Sequence, residues 1–189
     1  MQSAIVPRRS ARLWHRAIVP LIVGLIPLSM TQTLHAESTN ARAVSMETQR
    51  AEHNRARVVE AFDAWAKGGN RFFDDLLSPS VRWTIRGSGP YAGTYVGLED
   101  FVTRAVRPFS SRLSTPVRPV AVHHVFAQGD DVAVHWDGEA RARDGRPYRN
   151  SYVWIFRMED GRVSEATAFL DLVPYEDVIR RVPLPTLSP

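Results

Sequence analysis

The chain has no cysteine and only one lysine, Lys67. Without cysteine there is no disulfide, no thiol nucleophile, no thiolate metal site and no thiol for a lipid. Any metal would have to be held by histidine and carboxylate. Long apolar runs are also missing. The longest, "AIVPLIVGLIPLSM" at residues 17–30, is shorter than the roughly 20 residues a membrane-crossing helix needs, and Pro20 and Pro27 interrupt it. Arg8, Arg9, Arg12 and Arg16 precede it, and "TQTLHA" follows, ending on Ala36. That order predicts a secretory signal peptide over 1–36, cleaved near Ala36, with no stable membrane insertion afterwards. Ser10 and Ala11 stand where a twin-arginine signal has a hydrophobic pair. Localisation is expected to be periplasmic or secreted. Without the four leader arginines, the 24 basic residues fall to 20, against 20 acidic ones. The near-zero balance lacks the clustered basic face of a nucleic-acid binder.

What is present is patterned. Residues 37–48 are polar without periodicity and predict a linker. From Glu47 the apolar residues Val58, Val59, Phe62 and Trp65 recur at helical spacing, and "KGGN" at 67–70 stops the helix. A short helix is expected over 71–77 and a third over 98–109. Between them "VRWTIRG" (81–87) alternates as a strand, and "GSGPYAGTYVG" (87–97) reads as a Gly-rich loop. That loop lacks the strand–GxGxxG–helix setting of a phosphate site. It is expected to form a pocket rim, with Tyr91 and Tyr95 closing over a ligand. Strands are expected over 117–128, 132–142, 147–158 and 163–172, separated by "GDD", "RDGR" and "EDGR" turns. A short terminal helix lies in "VPYEDVIRRV", and 183–189 form a loose tail. Helices followed by an antiparallel meander predict an α+β domain over 49–182, a curved sheet with helices folded over one face.

The words "AWAKGGNRFFDDLLSPSVRW", "YVGLEDFVTRAV", "DGRPYRNSYVWIFRMEDGRV" and "FLDL" resemble the nuclear transport factor 2-like superfamily, in its SnoaL-like polyketide cyclase branch, over about residues 50–180. The resemblance implies a cone-shaped pocket made by a curved antiparallel sheet and covered by three N-terminal helices. It also implies that Asp171, at the strand end ten residues after Gly161, is the general acid/base. Ketosteroid isomerase, of the same superfamily, has its base and its oxyanion tyrosine at positions that are Ile85 and Phe62 here, which speaks against isomerase chemistry of that type. The two aspartates of limonene-epoxide hydrolase fall on Asp137 and Asp171. Its arginine falls on His135, its tyrosine on Trp83 and its water-holding asparagine on Ile85, so the central cation and the asparagine are lost.

Strand alternation places Val132, Val134 and Trp136 on one face and His135, Asp137, Glu139 and Arg141 on the other. It groups Tyr148, Asn150, Tyr152, Trp154 and Phe156, and it groups Val163, Glu165, Thr167, Phe169 and Asp171. The expected catalytic residues are Asp171, His135 and Asp137. A carboxylate among aromatic side chains would have its pKa raised by desolvation, which suits an acid or base near neutrality. The expected ligand-binding residues are Trp83, Asn150, Tyr152, Trp154 and Phe169, with Asn150 and Tyr152 available to a carbonyl or enolate oxygen. A second role fits Asp171 equally: capping the helix that follows. His123 and His124 adjoin and are expected on opposite faces, so no metal site and no cofactor are expected. Three functions stay open. One is a cofactor-free acid/base enzyme of cyclase, isomerase or hydrolase type acting on a small apolar substrate. The second is a non-catalytic periplasmic module for a small hydrophobic ligand. The third is a structural homodimer pairing through an exposed Val132–Val134–Trp136 face.

Overall fold

The computed structural model describes residues 28–184, with side chains from Thr39 onward. The chain divides into two units, residues 1–39 and 40–189. Of the first, only the helical stretch beginning at Leu28 is described. The predicted signal peptide therefore lies mostly outside the described residues. No helix among the described residues is long and apolar enough to cross a membrane.

Helix α1 spans Leu28–Ala66. Residues 37–48, expected as a linker, are helical, because no glycine or proline interrupts the chain between Leu28 and Gly68 and alanine, arginine, glutamate and methionine all favour helix. Gly68, at φ +103°, ends it. The amide of Gly69 donates to the Ala64 carbonyl and that of Gly68 to Trp65, a glycine-terminated helix end. The Arg118 guanidinium then donates to the carbonyls of Trp65, Gly68 and Gly69, a cation on the negative end of the helix.

A short α2 (Phe72–Leu76) leads into β1 (Leu77–Ile85). The Gly-rich segment is not all loop: Gly93–Val96 form β2, antiparallel to β1. A helical stretch follows in three parts: α3 (Leu98–Phe101), a π-helical turn (Val102–Val106) and α4 (Arg107–Ser110). Then come β3 (Leu113–Gln128), β4 (Asp131–Ala142), β5 (Pro147–Glu159), β6 (Arg162–Leu170) and α5 (Leu172–Arg181). The six strands form one curved, unclosed sheet in the order β2-β1-β6-β5-β4-β3. Only β1 and β6 run parallel.

The sheet has an inner face under the helices and an outer face without such cover. On β4 every second residue from Val132 to Gly138 is buried, with Val132, Val134 and Trp136 fully so. The expected exposed pairing face is thereby corrected: these three are core. On β5 Tyr148, Asn150, Tyr152, Trp154 and Phe156 all point inward, as the alternation predicts. β6 departs from prediction. Met158 pairs Val163 but Arg157 pairs Glu165, so Ser164 is an extra residue and the phase flips. Val163, Ala166 and Ala168 are buried, whereas Phe169 is 44 % exposed on the outer face.

Candidate functional site

The inner face and the helices enclose a cavity of about 230 Å³. β1 contributes Trp83 and Ile85; β4 and β5 contribute Trp136, Tyr152 and Trp154; β6 contributes Ala168 and Leu170. From the helices come Trp65, Phe73, Phe101, Ala105, Val106, Phe109 and Tyr175. Phe101, Ala105 and Phe109 recur four residues apart, and the π-helical turn lies between the two phenylalanines.

The rings brace one another. Trp136 stacks on Tyr152 at 4.1 Å and 11°, and Trp83 stacks on Phe101 at 4.3 Å and 17°. Trp154 stands edge-on to both Trp136 and Trp83. Each such pair adds to area burial alone. Gly138 makes the Trp136–Tyr152 stack possible: a Cβ there would lie 2.8 Å from the Trp136 ring and 3.2 Å from that of Tyr152. Nothing in the strand pattern marks this glycine as a pocket residue.

Among the described residues lining the cavity, none is a carboxylate, an imidazole, an amine or a guanidinium. Polar atoms come from Ser110, the tyrosines and the indoles. Tyr152 and Tyr148 share a hydroxyl–hydroxyl bond of 2.7 Å, and Asn150 Nδ2 donates to the Tyr148 oxygen at 2.8 Å. Burial pushes the Tyr148 phenol up to about 12 and the Tyr152 phenol well above its ordinary value. Tyr175 is raised for the same reason. These phenols stay protonated at neutral pH, so they donate and accept hydrogen bonds but supply no base. The Trp136 indole N–H is buried without a hydrogen-bond partner among the described residues.

The sequence-predicted site residues divide sharply. Trp83, Tyr152 and Trp154 line the cavity. Asn150 is buried but spent on structure: its side chain accepts from the Asp171 amide at 3.1 Å and donates to the Asp171 carbonyl at 2.8 Å. Asp171 is exposed and outside the cavity wall. Its Oδ1 accepts from the Val173 amide at 2.9 Å, making it the N-cap of α5. The capping role is the one its geometry carries, because β6 ends at Leu170 and the next residue opens the helix. Phe169 points outward. Tyr95 is buried on β2, donates to the Tyr91 carbonyl at 2.8 Å and packs on Phe101, and neither tyrosine closes over the cavity.

His135 and Asp137 alternate with Trp136 and so lie on the outer face. Asp137 Oδ1 accepts from Ser151 Oγ at 2.5 Å, and Oδ2 lies 2.7 Å from His123 Nε2. Those two hydrogen bonds hold the carboxyl below its ordinary value. His123 and His124 do not diverge as alternation predicts. Val122 pairs Trp136 and His124 pairs His135, so His123 is a bulge residue. Both imidazoles approach the His135 ring, with centroids at 4.7 Å and 5.9 Å.

A curved sheet cupped by helices around an aromatic cavity is the fold of the nuclear transport factor 2-like superfamily. The chain belongs to the SnoaL-like domain family, whose profile matches residues 58–166. Solved structures share the fold. An NTF2-like protein from Burkholderia xenovorans LB400 is 19% identical, with a TM-score of 0.52 over 68% of this chain and 96% of its own. TerC, co-crystallised with polyporic acid, is 19% identical, with a TM-score of 0.56 over 68% and 98%. A structure from Jannaschia sp. CCS1 assigned to the SnoaL-like polyketide cyclases is 20% identical, with a TM-score of 0.55 over 71% and 96%. No curated protein matches the chain.

Proposed function

We propose that the chain is a binding module that takes a small, flat, uncharged molecule into the aromatic cavity. The observation that carries this reading is the composition of the wall: stacked indoles and phenols with no ionisable group that titrates near neutrality. An acid/base enzyme needs a proton acceptor within reach of the substrate. The carboxylates and imidazoles expected for that task stand elsewhere, Asp171 on a helix end and His135 with Asp137 on the outer face. A cavity of this size and lining favours apolar ligands and penalises charged ones, whose burial costs several kcal/mol without a partner. TerC, which shares the fold, was co-crystallised with polyporic acid, a precedent for a chain of this fold meeting an organic ligand.

Intrinsic fluorescence tests it directly, since Trp65, Trp83, Trp136 and Trp154 all line the cavity. Titration with 2-acetylnaphthalene should change tryptophan emission to saturation. The anionic 2-naphthoate should bind at least about tenfold more weakly. Ala105→Phe, which fills the cavity, should abolish the response. Equal binding of the two probes, or an unchanged response in Ala105→Phe, would remove the proposal.

Export and pairing belong to the same reading. Protein recovered from a periplasmic fraction should begin near Glu37 on N-terminal sequencing; a chain starting at Met1 in the membrane fraction would overturn export. Pairing moves to the outer face, where Phe126, Val153, Ile155 and Phe169 are exposed. Light scattering at micromolar concentration should give twice the chain mass, and a clean monomer would remove the homodimer.

A further inference from the structure

The outer sheet face carries a cluster that the cavity does not use. His123, His135 and Asp137 each offer one ligand atom, and the three atoms lie within 4.8 Å of one another. We propose that these three side chains form a binding site for a borderline divalent transition cation of the zinc class.

Three features support it. The first is the donor set. Two imidazoles and one carboxylate suit zinc, cobalt or nickel, whereas magnesium and calcium want all-oxygen shells and copper(I) prefers sulfur. The second is reach. Tetrahedral zinc, with bonds of about 2.0–2.1 Å, holds its ligand atoms roughly 3.3 Å apart, inside the 4.8 Å that bounds this cluster. The carboxylate and His123 already meet at 2.7 Å. The third is support behind the ligands. Ser151, the register partner of Asp137, donates to Oδ1 and so leaves Oδ2 facing His123. Outer hydrogen bonds of that kind orient metal-binding carboxylates.

The backbone makes the cluster possible. Adjacent residues on a regular strand face opposite ways. The bulge at His123 breaks that rule and brings its ring to His135, one strand away. A hydrolytic serine triad is a poor alternative. Asp137 lies between Ser151 and His123, so the hydroxyl contacts the carboxylate and not the imidazole base. In the single chain, three protein ligands leave a position on the solvent side for water, the arrangement of an open site rather than a closed structural one.

The test is calorimetric titration of the untagged chain with zinc chloride, with its mass measured by light scattering in the same buffer. One ion per chain should bind to saturation. His123→Ala, His135→Ala and Asp137→Asn should each weaken binding at least about tenfold, and Ser151→Ala should weaken it less. His53→Ala, on α1, should leave it unchanged. Cobalt(II) should give visible d–d bands that disappear in His135→Ala. Metal-free thermal melts of the variants should match the parent, because the substituted side chains are partly or fully exposed. Zinc binding that survives His123→Ala and His135→Ala, or no saturable binding at all, would overturn the site. So would half an ion per chain, which would mean ligands drawn from two copies.

Discussion

The two faces of one sheet divide the chemistry of this protein between them. The inner face is ringed by indoles and phenols, and among the described residues lining its cavity none titrates near neutrality. The outer face carries His123, His124, His135 and Asp137 within reach of one another. On β4 the two sets alternate residue by residue: His135 and Asp137 flank Trp136, yet look the opposite way. Nearness in sequence is therefore no guide to a shared site here. The sheet itself separates the apolar cavity from the imidazoles and the carboxylate, and the proposed binding role rests on that separation.

The widest expected gap between the faces is in stability. Phe156 and Phe169 have the same side chain on neighbouring strands, one fully buried and the other 44 % exposed. Phe156→Ala should cost about 3–5 kcal/mol, the usual loss for a buried phenylalanine. Phe169→Ala should cost less than about 1 kcal/mol in the single chain. Urea denaturation of both variants checks this; equal losses would erase the distinction between the faces.

Alkaline pH should separate the faces by charge. The buried Tyr148 phenol has its folded pKa raised to about 12, from an ordinary value of 10.0. Above pH 10 the unfolded chain gives up this proton while the folded chain keeps it. Stability is thus fully present below about pH 10 and is lost as pH rises towards 12. Two pH units at about 1.4 kcal/mol each put the loss near 3 kcal/mol for Tyr148, with Tyr152 adding in the same direction. Denaturation midpoints between pH 8 and 11.5 should fall more steeply above pH 10 in the parent than in Tyr148→Phe. Parallel curves would mean that the phenols are hydrated.

Much of this was legible in the residues, and two of the misses share one cause. β4 and β5 pair with no slip along their whole register, and their inward and outward sets follow simple alternation. β3 slips four times against β4, the last time at His123, and β6 slips once against β5, at Ser164, and there alternation fails. The bulge at Ser164 turned Phe169 outward and Ala168 inward; the bulge at His123 joined two histidines expected to diverge. One extra residue inverts every side chain beyond it, and no local propensity marks where it falls. β2 hid in a Gly-rich segment because Thr94, Tyr95 and Val96 are too few to show a period. The apolar cavity was foreseen in kind through Trp83, Tyr152 and Trp154. Its helical wall and the room left by Gly138 depend on packing across elements.

A smaller effect concerns the junction between the faces. Asp171 caps α5 through one amide, and Asn150 holds its backbone from the inner side. Asp171→Ala should cost about 0.5–2 kcal/mol, and Asp171→Asn much less, since asparagine caps nearly as well. Both should bind 2-acetylnaphthalene like the parent. If Asp171→Asn melts with the parent but loses the ligand, Asp171 belongs to the pocket after all.

The smallest expected effect tests the separation most directly, because it is an effect of nearly nothing. His135→Ala and Asp137→Asn remove groups from the outer face without altering the cavity wall. His135 pairs with Val153 and Asp137 with Ser151, neighbours whose side chains also point outward. The neighbouring Trp136 keeps its stack on Tyr152 and its edge contact with Trp154. Neither substitution enlarges or polarises the cavity, so the affinity for 2-acetylnaphthalene should stay within about twofold, less than 0.5 kcal/mol. The same two variants should be the ones that lose zinc. Fluorescence titration and calorimetry on a single preparation therefore give opposite answers if the faces are independent. A parallel loss of both ligands would show that the sheet transmits a change from one face to the other, and would reopen His135 and Asp137 as partners of the pocket.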